Sequence, residues 1–226
     1  MQVRDLGLIP YRDAWRVQED LHAQVLAGGE EQLLLPLEHP PVITFGRRAD
    51  DARKNLLTPP ELLRQLNVDL VESDRGGDIT LHAPGQLVAY PIVRLNEHGL
   101  AVGAYVRKLE DVVIATLAEY RIQAFKDETA IGVWTVPKKG TGTFSPSSST
   151  SPGAAKICAL GVRIKRGVSL HGIALNLDTD LALFNLINPC GLGRPVTSMR
   201  EILGDATPTM DHLKRSFSRA FLAAFA

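Results

Sequence analysis

The stretch that most restricts this chain lies between residues 156 and 177. Two long runs, 156–165 and 168–177, are rich in Ile, Val, Leu and Ala and meet at Lys165-Arg166-Gly167. Apolar, β-branched runs joined by a glycine-bearing turn read as a β-hairpin. A lone hairpin is marginal in water, so this one requires a larger sheet and a covering layer. The rest of the chain offers both. Strand-like segments fall at 32–37, at Val42–Phe45 after a double proline, at 68–72, 78–81 and 86–95, and near 122–126 and 131–136. Ala14, Val17, Leu21 and Val25 recur with helical spacing over 10–27, and Gly28-Gly29 ends that helix. Residues 102–120 form the clearest helix. Val106, Leu109, Val113, Leu117 and Tyr120 make its apolar stripe, with Arg107, Lys108, Glu110 and Asp111 expected to face water. A short helical piece near 180–186 and a C-terminal helix carrying Met210, Leu213, Phe217 and Phe221 complete the pattern. Strands in the middle, with helices at both ends and one between, predict an α+β fold: a mixed or mainly antiparallel sheet with packed helices.

Composition excludes several classes. At 226 residues, residues 1–226 are expected to form one domain. Lys plus Arg equals Asp plus Glu at 25 each, so no overall field favours nucleic acid or an anionic membrane. No apolar run approaches a membrane span, and the first residues carry no signal-like core. Two cysteines, Cys158 and Cys190, make neither a disulfide framework nor a CxxC metal pair. A cytoplasmic enzyme is the expectation. Of the 19 residues in 137–155, 14 are Ser, Thr, Gly or Pro, which predicts a mobile loop rather than a boundary between domains.

Two positions draw attention for chemistry. Cys190 lies in Asn188-Pro189-Cys190-Gly191, a turn that would leave a thiol open to a substrate. A free thiol is mostly protonated near neutral pH and needs a neighbouring cation or base, and a lysine can be either. Lys156 opens the apolar hairpin. Taken singly, a cysteine is more often packed than nucleophilic, and a lysine at a strand start is usually solvated.

These residues also carry a resemblance. His39-Pro40-Pro41-Val42 with Phe45-Gly46-Arg47, then Arg75-Gly76-Gly77-Asp78-Ile79-Thr80-Leu81-His82-Ala83-Pro84-Gly85-Gln86, form the first blocks. Lys156 to Arg163, His171-Gly172-Ile173-Ala174-Leu175-Asn176 and Asn188-Pro189-Cys190-Gly191 follow in order. In register, they resemble the lipoyl(octanoyl) transferase family, which implies the architecture shared by biotin- and lipoate-protein ligases. The resemblance implies transfer of an octanoyl group from octanoyl-acyl carrier protein, through a thioester on Cys190, to a lysine of a lipoyl domain. Acceptors would be the lipoyl domains of 2-oxoacid dehydrogenases and the glycine cleavage H protein. It makes Cys190 and Lys156 catalytic. It assigns Arg75, Gly76, Gly77, Asp78, Ile79, Thr80, Leu81 and His82, with Ala159, Leu160, Gly161, Gly172, Ile173 and Ala174, to the acyl pocket. No cofactor or metal is implied, and neither nucleic acid nor membrane is a partner.

Local readings fill in the rest. Backbone N–H groups around Gly76 and Gly77 are expected to approach a substrate carbonyl, as an oxyanion site requires. Ala83 stands where the family usually has Gly, and its methyl is expected to narrow the pocket or shift the turn. Cys158 reads as packed, with a second nucleophile or a disulfide partner as alternatives. His82, His171, Cys158 and Cys190 are metal-ligand types without metal-site spacing. Arg47-Arg48 with Arg53-Lys54, and Arg163 with Lys165-Arg166, read as solvated faces or as docking charges for acidic carriers. The competing functions are an ATP-dependent lipoate or biotin ligase on the same fold and a non-catalytic carrier-binding module.

Overall fold

The computed structural model describes residues 1–29, 31–47, 53–137, 153–188 and 194–226. The hairpin forms as expected and becomes the centre of the larger sheet. Strands β9 (Ala155–Lys165) and β10 (Val168–Asn176) pair antiparallel from Val168↔Lys165 to Leu175↔Cys158. Arg166 and Gly167 both take positive φ (54° and 83°), the mirror-image turn whose twist suits a two-residue hairpin loop. Around them lie β1 (Gln2–Val3), β2 (Leu33–Leu37), β6 (Gln86–Ile92), β7 (Ala124–Lys126) and β8 (Val133–Thr135). The spatial order is β1-β2-β6-β10-β9-β8-β7, with only the β1–β2 pair parallel.

Burial on both faces gives β2 and β6 continuous apolar runs rather than alternation. Leu34, Leu87, Ala89, Ile173 and Leu175 face one way, against α3 (Val102–Glu119) and α5 (Met210–Ala224), where Leu109, Val113, Leu117, Phe217 and Phe221 meet them. Leu33, Leu35, Val88, Tyr90 and Ala174 face the other way, against Ala14, Leu21 and Val25 of α1 (Tyr11–Leu26).

A second, three-stranded sheet departs from the single sheet that the segment order implied. In it β3 (Val42–Phe45) pairs parallel with β4 (Asp69–Glu72) and antiparallel with β5 (Ile79–His82). Its core holds Ile43, Leu63, Leu81 and Ala83, with Leu63 supplied by α2 (Pro60–Gln65). Helix α2, α4 (Met199–Leu203) and strand β1 carry too little periodic sequence to be anticipated. The piece near 180–186 is a 3₁₀ turn, Leu181–Leu186, capped by the Asp180 side chain.

One residue of α3 contradicts its expected exposure. Glu110 is fully buried, accepting from Gly132 N–H at 3.0 Å and from Arg107 at 2.8 Å. A carboxylate inside the core is tolerated because both oxygens are occupied. Most of the Ser/Gly-rich segment, 138–152, lies outside the described residues. Its expected end is too late, since Ala154 is buried and Ala155 already opens β9. No helix among the described residues is long and apolar enough to cross a membrane.

Candidate functional site

Between the small sheet and the central hairpin lies a cavity of about 540 Å³. Its shape depends on backbone passing close to backbone. The loop 75–78 crosses the β9–β10 hairpin where Gly161 pairs with Gly172. A Cβ on Gly172 would lie 2.0 Å from the Ala89 carbonyl oxygen, and one on Gly161 would lie 2.8 Å from that of Gly76. Side chains are therefore excluded at the crossing, and the hairpin presents a bare patch. Arg75 clamps the loop from inside. Its guanidinium, buried, donates to the carbonyls of Thr44, Gly76 and Asp78 and to Thr44 Oγ1. The expected oxyanion role fails at Gly76, whose N–H is committed to the Val162 carbonyl at 2.9 Å. That bond ties the loop to β9 instead.

All residues assigned to the acyl pocket line this cavity except Leu81. The β5 pleat turns Thr80 and His82 toward the cavity and sends Leu81 into the core of the small sheet. Ala83 packs in that same core, so its methyl does not narrow the cavity. Residues that the sequence did not single out as lining include Tyr11, Tyr90, Val102, Val106, Ile131 and Phe184. They come from distant segments, and only packing unites them.

One wall of the cavity is neutral and polar. His39, His82, Tyr11, Tyr90 and His171 form a network of ring contacts with centroids 5.2–6.1 Å apart. Burial lowers the His39 imidazole to about 4. Its Nδ1 meets the Ile9 carbonyl at 2.7 Å and must donate, so Nε2 accepts from Tyr90 OH at 2.8 Å. Burial, reinforced by the charges of Arg75 and Arg163, lowers His171 to about 3. Neutral His171 donates from Nε2 to Asp74 at 2.7 Å, and Asp74 is paired in turn with Arg163. His171 also sits at φ 57° within a strand, a strained conformation for a residue with a Cβ. Its N–H is held by Gln18 Oε1 at 2.7 Å.

The opposite wall carries charge. Lys156 is 8% exposed; its Nζ donates to the Ile131 carbonyl at 3.2 Å and lies 4.8 Å from the centre of the Trp134 ring. The Arg194 guanidinium stacks on the same indole at 3.5 Å and pairs with Asp127. Burial alone would raise Asp127; bonds from Arg194 and Thr129 outweigh it and hold the carboxyl at about 2. Gly132, at φ 141°, leaves room for the lysine stem, because a Cβ there would stand 3.0 Å from Lys156 Cε. Backbone bonds fasten 195–197 alongside this strand: Lys156 N–H to Pro195 and Thr197 N–H to the Lys156 carbonyl, both at 2.9 Å.

Cys190 and its neighbours 189–193 lie outside the described residues. The chain on either side is anchored. Asn188 N–H donates to the Asn55 carbonyl at 2.7 Å, and the Asn55 amide donates to Asp78 of the glycine loop at 3.0 Å. Beyond the turn, Arg194 is held by Asp127. The other thiol is a packed residue: Cys158 is fully buried in the main apolar core, and burial pushes its thiol far up. Of the basic clusters, Arg53 pairs with Glu72 and Arg163 with Asp74, whereas Arg48 is not among the described residues.

Comparison with known proteins gives the family of the chain. The family model for the lipoyl protein ligase A/B catalytic domain matches residues 10–222. The octanoyltransferase of Chloroflexus aggregans is 46% identical over 210 residues, covering 92% of this chain and 87% of the relative. That of Solibacter usitatus is 40% identical over 223 residues, covering 99% and 92%. Among solved structures, lipoate-protein ligase A bound with ATP superposes with a TM-score of 0.70 at 15% identity, covering 100% of this chain and 86% of that one. The biotin protein ligase of Aquifex aeolicus, in complex with biotin and ATP, gives 0.55 at 11%, covering 99% and 69%. At such identities those two likenesses speak to the fold alone. The chain belongs to the lipoyl protein ligase A/B catalytic-domain family, and its curated relatives within that family are octanoyltransferases.

Proposed function

We propose that residues 1–226 form one catalytic domain, in which Cys190 and Lys156 carry octanoyl transfer through a covalent thioester. Lys156 takes the proton of the Cys190 thiol, and the thiolate attacks the thioester of octanoyl-acyl carrier protein. As the carrier's thiol departs, Lys156 returns the proton to it and octanoyl remains on Cys190. A lysine amine of a lipoyl domain then attacks the enzyme thioester and loses its proton to Lys156, while Cys190 leaves as thiolate. The first exchange trades one thioester for another. The second forms an amide from a thioester and runs downhill, so the sequence of steps consumes no nucleotide.

The observation that carries this reading is the setting of Lys156. It lies at the rim of an acyl-sized cavity, its backbone fastened to the segment just beyond the Pro-Cys-Gly turn. Apolar residues of the lining, among them Val106, Ile131, Leu160 and Phe184, offer an octanoyl chain contact. Donor and acceptor are taken to be octanoyl-acyl carrier protein and the lipoyl domains of 2-oxoacid dehydrogenases and of the glycine cleavage H protein.

Intact-mass measurement after mixing with octanoyl-acyl carrier protein tests the proposal. One octanoyl adduct is expected, absent in Cys190→Ala. An adduct that survives in Cys190→Ala would remove the nucleophile assigned here. Initial rates at several fixed levels of the second substrate should give the parallel double-reciprocal lines of a ping-pong sequence, and intersecting lines would mean direct transfer.

A further inference from the structure

One group in the neutral wall has a fixed protonation pattern and an unused lone pair. The Asn176 amide is read from the Thr197 carbonyl, which can only accept: Asn176 Nδ2 donates to it at 2.9 Å. Asn176 Oδ1 therefore accepts, and Gln86 Nε2 donates to it at 2.9 Å and to the Leu81 carbonyl at 3.3 Å. That leaves Gln86 Oε1 as the acceptor facing His82 Nδ1 at 2.7 Å, so Nδ1 carries the proton. Burial, with the neighbouring His39 and Arg75, holds this imidazole well below its usual value, and it is neutral. Nε2 then presents a lone pair. No donor among the described residues reaches it, and it is not one of their sealed, unpartnered polar atoms. His82 is 5% exposed and lines the cavity, so that lone pair opens onto the substrate space.

We infer that His82 Nε2 is the hydrogen-bond acceptor that orients the attacking lysine amine in the second half-reaction. This rests on the function proposed above. An octanoyl chain has no N–H to offer, so the acceptor is matched to a nitrogen-bearing substrate group. The incoming lysine must attack as a neutral amine. Neutral imidazole, phenol and amide groups, with the Arg75 and Arg163 cations beside them, favour that form over the ammonium. An N–H held by Nε2 directs the nitrogen lone pair away from the histidine and toward the thioester. His82 Nε2 only accepts the hydrogen bond and takes no proton from the amine; the proton lost from nitrogen goes to Lys156. The relay through Gln86 and Asn176 ends on Thr197, whose N–H is bonded to the Lys156 carbonyl. It therefore fixes the imidazole relative to the strand that bears the catalytic lysine.

The test separates the two half-reactions by rapid quench and intact mass, using octanoyl-acyl carrier protein and then a lipoyl domain. His82→Asn keeps a donor for Gln86 but has nothing at the Nε2 position, whereas His82→Gln can place an amide oxygen there. In His82→Asn, transfer from the octanoyl-enzyme to the lipoyl domain should slow about 10–100-fold, the cost of one lost buried hydrogen bond. Loading, in which His82 serves only as pocket lining, should lose several-fold less than transfer does, and His82→Gln should recover most of the transfer rate. Free hydroxylamine, a small nucleophile that needs no orientation, should discharge the wild-type and Asn acyl-enzymes at equal rates. If His82→Asn does not fold, Gln86→Met, which frees the imidazole from its relay, should give the same asymmetry. Equal losses in both halves, or a loss confined to loading, would overturn the inference; the latter would point to a pantetheine amide as the partner. Absence of any acyl-enzyme in the wild type would sink the covalent mechanism itself.

Discussion

The two walls of the cavity keep their polar groups in opposite ways. Around His39, His82 and His171, burial removes charge, and each neutral ring is then oriented by one-way hydrogen bonds to a carbonyl, an amide or a carboxylate. Beside Lys156, a fixed ion pair is kept: Arg194 stacks on the Trp134 π face, and Asp127 balances it. A dry neutral wall suits a step in which an amine must shed charge. A charged wall suits one in which a thiol must gain it.

The comparison breaks most severely at Lys156. Replacing it with Ala should slow acyl-enzyme formation by roughly 10²–10⁴, the range for a general acid–base group. Lys156→Arg should recover little, since Arg retains its proton at any working pH. Near wild-type loading in the Arg variant would mean that the wall contributes charge alone.

Removing the support of that wall comes next. Arg194→Ala leaves the buried Asp127 carboxylate with only its Thr129 and Ala130 hydrogen bonds, a loss of about 2–3 kcal/mol at most for one charge-assisted bond. The denaturation midpoint should fall accordingly, and the double variant Asp127→Asn/Arg194→Ala should recover much of the loss. If the double variant is as unstable as the single one, the ion pair is not what holds Arg194 on the indole.

Acid should find the neutral wall. His39 falls from 6.5 to about 4 on folding, so between those values the unfolded chain binds more protons than the folded one. The stabilisation is complete above pH 6.5 and is lost as pH drops toward 4, amounting to about 3 kcal/mol at 1.36 kcal/mol per unit. His171 extends the same loss toward pH 3. Melting temperature should therefore decline below pH 6.5. A flat profile down to pH 4.5 would show that these rings accept charge in the folded state.

The smallest effect is expected at the buried thiol. Cys158→Ala removes one sulfur from the main core, at about 1 kcal/mol, the usual size of a small core truncation. Octanoyl loading should persist. Loss of the adduct in this variant, with Cys190 intact, would reassign the nucleophile.

Much of the molecule was legible before any packing was known. Length, balanced charge and the order of apolar runs set an α+β chain, and Val42–Phe45 matched its strand without revision. Locally coded features held because the residues that decide them are neighbours: two positive-φ residues make the 165–168 turn whatever surrounds it. The blocks at 75–82, 159–161 and 172–174, assigned through the family resemblance, coincide with the cavity lining except for Leu81. Tertiary structure decided the rest. Glu110 looks like a solvent-facing helix residue until Gly132 and Arg107, from outside and inside its helix, claim both oxygens. Gly76 looks like an oxyanion donor until β9 takes its N–H. The partnership of Trp134, Arg194 and Asp127 around Lys156, and the relay that fixes the proton on His82, join residues far apart in the chain. Sequence spacing reports periodicity along one element. Which donor meets which acceptor depends on how separate elements cross, and that is settled only when the cores between them are packed.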